Sequence, residues 1–165
     1  MTSNYDYKKE WVNTFYGGEK PKLAWIKAIQ PYFIPGAVLE VMCGSGRWAN
    51  RFESYFGVDI SHYNITVASM NNPTKEFHCA DIVEWIPRRT YSNVFSWVAL
   101  QHIPKADFER LAPRMLEWSE NFIFCEKTDG NDNAYTFTHN YERWWRIKSK
   151  QEIESGLMLM HLAKK

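Results

Sequence analysis

The sequence has almost no net charge: twenty Lys and Arg stand against nineteen Asp and Glu, a balance of +1. Dedicated nucleic-acid binders carry a clear basic excess, so this balance argues against that class. Cysteine is scarce as well, with only Cys43, Cys79 and Cys125, an odd number at long spacings. These three make neither a disulfide framework nor a zinc pattern, so no metal is expected and a reducing compartment is the default. No apolar run approaches the roughly 20 residues that span a membrane. The opening MTSNYDYKKE lacks the apolar core of a signal peptide, and the expectation is a cytoplasmic protein with no membrane partner. Internal repeats, low-complexity tracts and long linkers are missing too, which leaves one domain over 1–165.

Aromatic residues are what the chain has in excess: ten Phe, eight Trp and nine Tyr, 16% of the 165 residues. Most belong in a core, and Trp and Tyr also suit the wall of a cleft. Strands are predicted over Ala37–Met42, Tyr55–Ile60, Glu76–Ala80, Asn93–Leu100 and Asn121–Glu126, with Leu157–Leu162 as a last one. A first helix places Tyr7, Trp11 and Phe15 on one face and stops at Gly17-Gly18; a second runs from Pro21 to Pro31. Further helices are predicted over Arg47–Ser54, His62–Met70, Ile82–Ile86, Pro104–Trp118 (kinked at Pro113) and Tyr141–Lys150. Strands alternating with helices imply an α/β fold, a mostly parallel sheet with helices on both faces. Such sheets bind ligands beyond the carboxyl ends of their strands, where strand order reverses.

The unusual polar residues fall at those strand ends. Glu40 lies in the first strand, and the turn Cys43-Gly44-Ser45-Gly46 leads from it into a helix start. Two glycines let a ligand approach the backbone, although such a turn also serves as a plain strand-to-helix corner. Asp59 ends the second strand, where a carboxylate can accept from ribose hydroxyls. Asp81 ends the third, where it can accept from an exocyclic amine such as that of adenine. Each acid alone would read equally well as a helix N-cap. Three in order beside a Gly-x-Gly turn are harder to explain that way.

With the fourth strand and its sequel, Phe95-Ser96-Trp97-Val98-Ala99-Leu100-Gln101-His102-Ile103-Pro104, the chain resembles the class I S-adenosylmethionine-dependent methyltransferases of small-molecule type. The resemblance spans about Val38 to Lys127. It implies a Rossmann-like fold and S-adenosylmethionine as cofactor. Glu40 and the turn from Cys43 to Gly46 would then contact the methionine part, with Asp59 on the ribose and Ile60 packed on the adenine. Asp81 and the Ile82 amide would meet the adenine edge, and Trp97 and Val98 would border the methyl-transfer point. It also makes residues 1–34 a helical lid over cofactor and substrate, in which Tyr5, Tyr7, Trp11, Phe15 and Tyr16 present an aromatic face. Such a face favours a sulfonium through cation–π attraction; for Trp11 and Phe15 a helix packed on the sheet competes with this reading.

The departures are specific. Met42 stands where the family usually has glycine, and Ser92 and Asn93 where it has an acid. The family sheet normally ends in a hairpin, yet only Leu157–Leu162 reads as a strand after the fifth. The sheet is therefore expected to be shortened there, with its edge exposed or paired in a homodimer. Gly44 to Ala49 also fits the dinucleotide fingerprint, but an NAD-binding protein would leave Asp81 and the LQHIP segment without a role.

On the acceptor side the catalytic candidates are His102, after the fourth strand, and His139, in the polar aromatic segment Tyr135–Tyr141. A loop-pinning role competes for the first and an ordinary surface loop for the second. The basic aromatic stretch from Arg143 to Lys150 reads best as a solvated helix face with one buried Trp. Nucleic-acid methylation is further opposed by Ser96-Trp97-Val98-Ala99, which is not the Asn/Asp-Pro-Pro-Tyr segment of base-amino methylases. The expected activity is methyl transfer to O or N of a small molecule, by a monomer or a homodimer. The alternative is a protein that binds S-adenosylmethionine and sequesters or cleaves it.

Overall fold

A computed structural model describes residues 7–12, 20–128 and 135–165. The predicted contributions of Tyr5, Phe15, Tyr16 and Gly17-Gly18 lie outside them. Seven strands form one sheet: β1 (Val38–Val41), β2 (Tyr55–Asp59), β3 (Glu76–Cys79), β4 (Asn93–Trp97), β5 (Asn121–Lys127), β6 (Trp145–Glu154) and β7 (Leu157–Lys164). Their order is β3-β2-β1-β4-β5-β7-β6. The first five run parallel, β7 is antiparallel to β5, and β6 is antiparallel to β7. The chain builds outward from β1 to β3 and then returns to lay β4 on the other side of β1. Strand order therefore reverses between β1 and β4, the place where such sheets bind their ligands.

Burial follows from strand alternation. Phe122 and Phe124 of β5 join one buried cluster, while Ile123 and Cys125 join the other. The first cluster is closed by α4 (Lys105–Met115), whose Phe108, Leu111, Ala112 and Met115 are buried against Leu39, Val41 and Val94. The second is closed by α2 (Leu23–Ile29), through Trp25 and Ile29. A sheet covered on both faces needs apolar residues on both, and all four residues of β1 are buried. Two further helices are α1 (Tyr7–Trp11) and α3 (His62–Asn71), the latter capped by the Ser61 side chain.

Three predicted helices are corrected. Residues Tyr141–Lys150 form one short 3-10 turn, Tyr141–Arg143, and then enter β6. In Trp145 to Lys150 the outward Arg146, Lys148 and Lys150 alternate with more buried neighbours, a period of two that a helix cannot use. Gly156, at φ +72°, closes the turn into β7. The C-terminal hairpin is thus present and the sheet is not shortened. Trp145 is the buried Trp expected of this stretch, but a strand carries it. Ile82–Ile86 makes only a turn, and Arg47–Ser54 only a 3-10 turn at Ala49–Arg51. Segments this short gain too few hydrogen bonds to offset helix nucleation.

At the opposite end of the sheet Asn93 explains its own departure from the family pattern. Its Oδ1 accepts from the Ile34 amide at 3.0 Å and its Nδ2 donates to the Ile34 carbonyl at 2.9 Å. A carboxylate could not donate that second bond.

Candidate functional site

A cavity of about 340 Å³ opens at the carboxyl ends of β1, β2, β4 and β5. Its wall contains Trp11, Glu40, Cys43, Gly44, Ser45, Asp59, Ile60, Asp81, Ile82, Trp97, Val98 and His102, which is every predicted contact but Gly46 and His139. Met42, already singled out as a departure from the family pattern, lines it too, as do Arg47, Asn64, Gln101, Lys127 and Thr136, to which the sequence assigns no individual role. A single charged or polar residue, whether in a turn, in α3 like Asn64 or at the end of β5 like Lys127, carries no periodic signal by which to be found.

The turn after β1 is built by backbone conformation. Met42, Gly44 and Gly46 all have positive φ, at +57°, +54° and +73°. Met42 therefore occupies the left-handed region that its glycine counterpart in the family would enter freely, a strain kept where the chain must turn sharply into the cavity. Val98 does the same at the end of β4, with φ +52°, and a β-branched residue is a rarer occupant still. Gly46 lies outside the cavity: a Cβ there would come within 3.0 Å of the Ala68 methyl and the Phe77 ring. Its absence of side chain lets the turn sit against α3 and β3, so its contribution to the site is packing.

The three acids hold different positions. Glu40 is buried, and the Tyr55 hydroxyl donates to it at 2.5 Å. Desolvation outweighs this bond and the nearby Arg47 charge, so its carboxyl is pushed up to about 8. Asp59 accepts from the Gly44 amide (2.9 Å) on one oxygen, and from the Ser61 amide (2.9 Å) and Asn64 side chain (3.3 Å) on the other. Burial raises its carboxyl while these three donors oppose the rise. It thus ties the β1 turn to the end of β2. A carboxylate oxygen accepts up to two hydrogen bonds, so the Gly44-bonded oxygen keeps one acceptor direction for a ligand hydroxyl. Asp81 accepts from the Val83 amide at 3.0 Å and pairs with the Lys8 ammonium at 2.6 Å, which brings α1 to the cavity mouth.

Trp11, one turn further along α1, meets the His102 ring with centroids 5.1 Å apart. The His102 Nδ1 lies 2.9 Å from the Tyr135 carbonyl. Since a carbonyl only accepts, Nδ1 carries the proton and Nε2 presents a lone pair. Burial, aided by the Lys127 charge, lowers this imidazole below its ordinary value and keeps it neutral at pH 7. The turn bearing it is held from beneath by Glu126, which accepts from the Leu100 and Gln101 amides, each at 3.3 Å. His139, by contrast, is directed away from the cavity. Its Nε2 binds the Leu100 carbonyl at 2.9 Å and its ring stacks on Phe108 at 3.8 Å, so it pins the same turn from outside.

The strand order, the acid-lined cavity and the strained turn define a class of nucleotide-type cofactor site on a Rossmann-like sheet. The chain belongs to the methyltransferase domain family, which residues 38–120, half of its length, match. No curated protein matches it in sequence. Among solved structures it is similar to magnesium protoporphyrin IX methyltransferase from Synechocystis PCC 6803 with S-adenosylmethionine bound. That likeness covers 100% of both chains at 12% identity, with a TM-score of 0.70. The DhpI complex with S-adenosylhomocysteine is similar over 85% of this chain and 86% of its own, at 19% identity and TM-score 0.67. TehB from Haemophilus influenzae is similar over 91% of this chain and 64% of its own, at 16% identity and TM-score 0.70. At such identities the likeness is one of fold, the class I methyltransferase fold with its terminal hairpin. Among the described residues no helix is long and apolar enough to cross a membrane.

Proposed function

We propose that this methyltransferase binds S-adenosylmethionine in the cavity and passes its methyl group to O or N of a small-molecule acceptor. The observation that carries the reading is the donor set: one cavity takes Glu40, Asp59 and Asp81 from three successive strand ends, and His102 from the turn after β4. The residues fit the cofactor's parts. Asp59 suits a ribose hydroxyl, Ile60 and Ile82 suit the faces of a flat base, and Glu40 beside Gly44 and Ser45 suits an ammonium-bearing tail. When bound, the cofactor supplies a methyl group already activated on a sulfonium.

The protein's part is then mainly orientation. Trp97 and Val98 shape the wall between the acidic end and His102, and the strained Val98 backbone fixes where that wall ends. Neutral His102, with Nδ1 anchored on Tyr135, can take a proton at Nε2 from an acceptor that must lose one. Trp11 and Lys8 bring α1 across the mouth, where it serves as a lid that keeps water from the reacting groups. A shortened sheet would favour a binder without transferase activity, but the β6–β7 hairpin completes the sheet.

Calorimetric titration with S-adenosylmethionine, S-adenosylhomocysteine and NAD tests the cofactor, and a labelled-methyl screen of small acceptors tests the reaction. Micromolar binding of the first two and none of NAD is expected. Binding of NAD alone, or of none of them by folded, ligand-free protein, overturns the reading.

A further inference from the structure

The charged groups along the cavity wall are sorted by strand. The acids Asp59 and Asp81, the latter paired with Lys8, stand at the β1–β3 side with Arg47 and with Glu40, whose buried carboxyl keeps its proton at neutral pH. At the β4–β5 side the described wall has no acid. It offers Gln101, His102, Lys127 and Thr136. Lys127 is exposed and ends β5, and its backbone amide is held by the Gln101 side chain at 3.2 Å. Among the described residues its ammonium has no ion-pair partner. Glu126, next to it, belongs to the opposite face of the strand and is committed to the Leu100 and Gln101 amides. The Lys127 charge also acts on His102, adding a smaller push to the burial that lowers its imidazole.

We infer that the acceptor is a small carboxylate, seated with its anionic group on the Lys127 ammonium at the β5 end of the cavity. This rests on the methyltransferase reading above and names the acceptor class for the same site. A positively charged donor belongs at the acidic end and a negatively charged acceptor at the basic end, so each is drawn to its own half of one cavity. The described acceptor end holds one ammonium and a neutral imidazole, which balances a single negative charge. A doubly charged phosphate calls for a richer set of donors. Trp97 and Trp11 supply aromatic wall for the acceptor's apolar part.

The test uses the full chain saturated with S-adenosylhomocysteine, whose binding is measured first in wild type and Lys127→Gln. Acetate, benzoate and phenylacetate are then titrated, each against its neutral amide, with the His102 ring followed by NMR. At least a ten-fold preference for the acids is expected in wild type. It should vanish in Lys127→Gln, while S-adenosylhomocysteine affinity stays within two-fold and the free His102 pKa rises. Absence of any acid preference, whether the probes bind equally or not at all, overturns the proposal, as does a preference that survives Lys127→Gln. Failure of S-adenosylhomocysteine to bind instead removes the methyltransferase site on which the proposal stands.

Discussion

The Tyr55 hydroxyl reaches diagonally across the β1–β2 pair to donate to Glu40 at 2.5 Å, closing the floor of the cavity. Gly57 is the residue paired with Glu40, and a Cβ on it would lie 2.8 Å from Cys43 Sγ and from the Phe77 ring. Only a residue without a side chain leaves the space in which Glu40, Cys43 and Tyr55 meet.

The pH dependence of stability follows from that burial. The Glu40 carboxyl is raised from 4.5 to about 8, so between those values the folded state binds a proton that the unfolded state has released. Stability must then fall as pH rises across this window, by about 1.4 kcal/mol per pH unit for one such group. Glu126, also raised to about 8, adds a contribution of the same sign. Thermal melts of wild type and Glu40→Gln from pH 5 to 8 should therefore diverge, with the variant losing less. Parallel curves would show that Glu40 is ionised in the fold.

Asp59→Ala removes the acceptor for three protein donors as well as the proposed ribose contact. Cofactor binding should weaken by about 1–3 kcal/mol, the cost of unpaired polar groups. The β1 turn should also become easier to open, visible as faster amide exchange at Gly44. Calorimetry that finds unchanged affinity in the folded variant would break the ribose assignment.

At Met42 two substitutions separate backbone strain from side-chain packing. Met42→Gly relieves the φ of +57° but gives up a side chain packed on the core, so its stability should stay within about 1 kcal/mol of wild type. Met42→Val places a β-branched residue in the same conformation and should cost roughly 1–3 kcal/mol. Urea denaturation of both variants checks this. Equal losses would mean that packing, not the dihedral, governs the position.

His102→Ala should lower methyl transfer to a protonated acceptor by about 10²–10⁴-fold while leaving cofactor affinity within two-fold. Because burial lowers the wild-type imidazole below its ordinary value, the rate should rise with pH and reach its plateau at a lower pH than an ordinary histidine would give. A rate profile that is flat from pH 5 to 8 in wild type would exclude His102 as the proton acceptor. His139→Ala, outside the cavity, should change stability more than the pH profile.

Legibility in the sequence followed how local each signal is. Buried parallel strands read as continuous apolar runs, so β1, β2, β4 and β5 appear in Val38–Val41, Tyr55–Asp59, Asn93–Trp97 and Asn121–Lys127 with errors only at their ends. An acid inside such a run or close to its end stands out for the same reason, which makes Glu40 within β1, Asp59 at the end of β2 and Asp81 just past β3 legible. β6 is not legible because aromatic and basic residues over 141–150 satisfy a helical face and an alternating strand alike; only pairing with β7, beginning at Trp145 and Lys164, selects the strand.

What the sequence determined by itself is the run of apolar strands, the turn that follows the first of them, and the order of carboxylates at their ends. Each is set by a few consecutive residues. The tertiary structure alone decided that Met42 accepts a left-handed backbone, and that Lys8 and Trp11 reach Asp81 and His102. It also turned His139 onto Leu100 and left Lys127 facing the cavity without a counter-ion among the described residues. These depend on which distant segments meet, and the energy that selects such meetings resides in packing and desolvation shared across the whole sheet, not in any one stretch of chain.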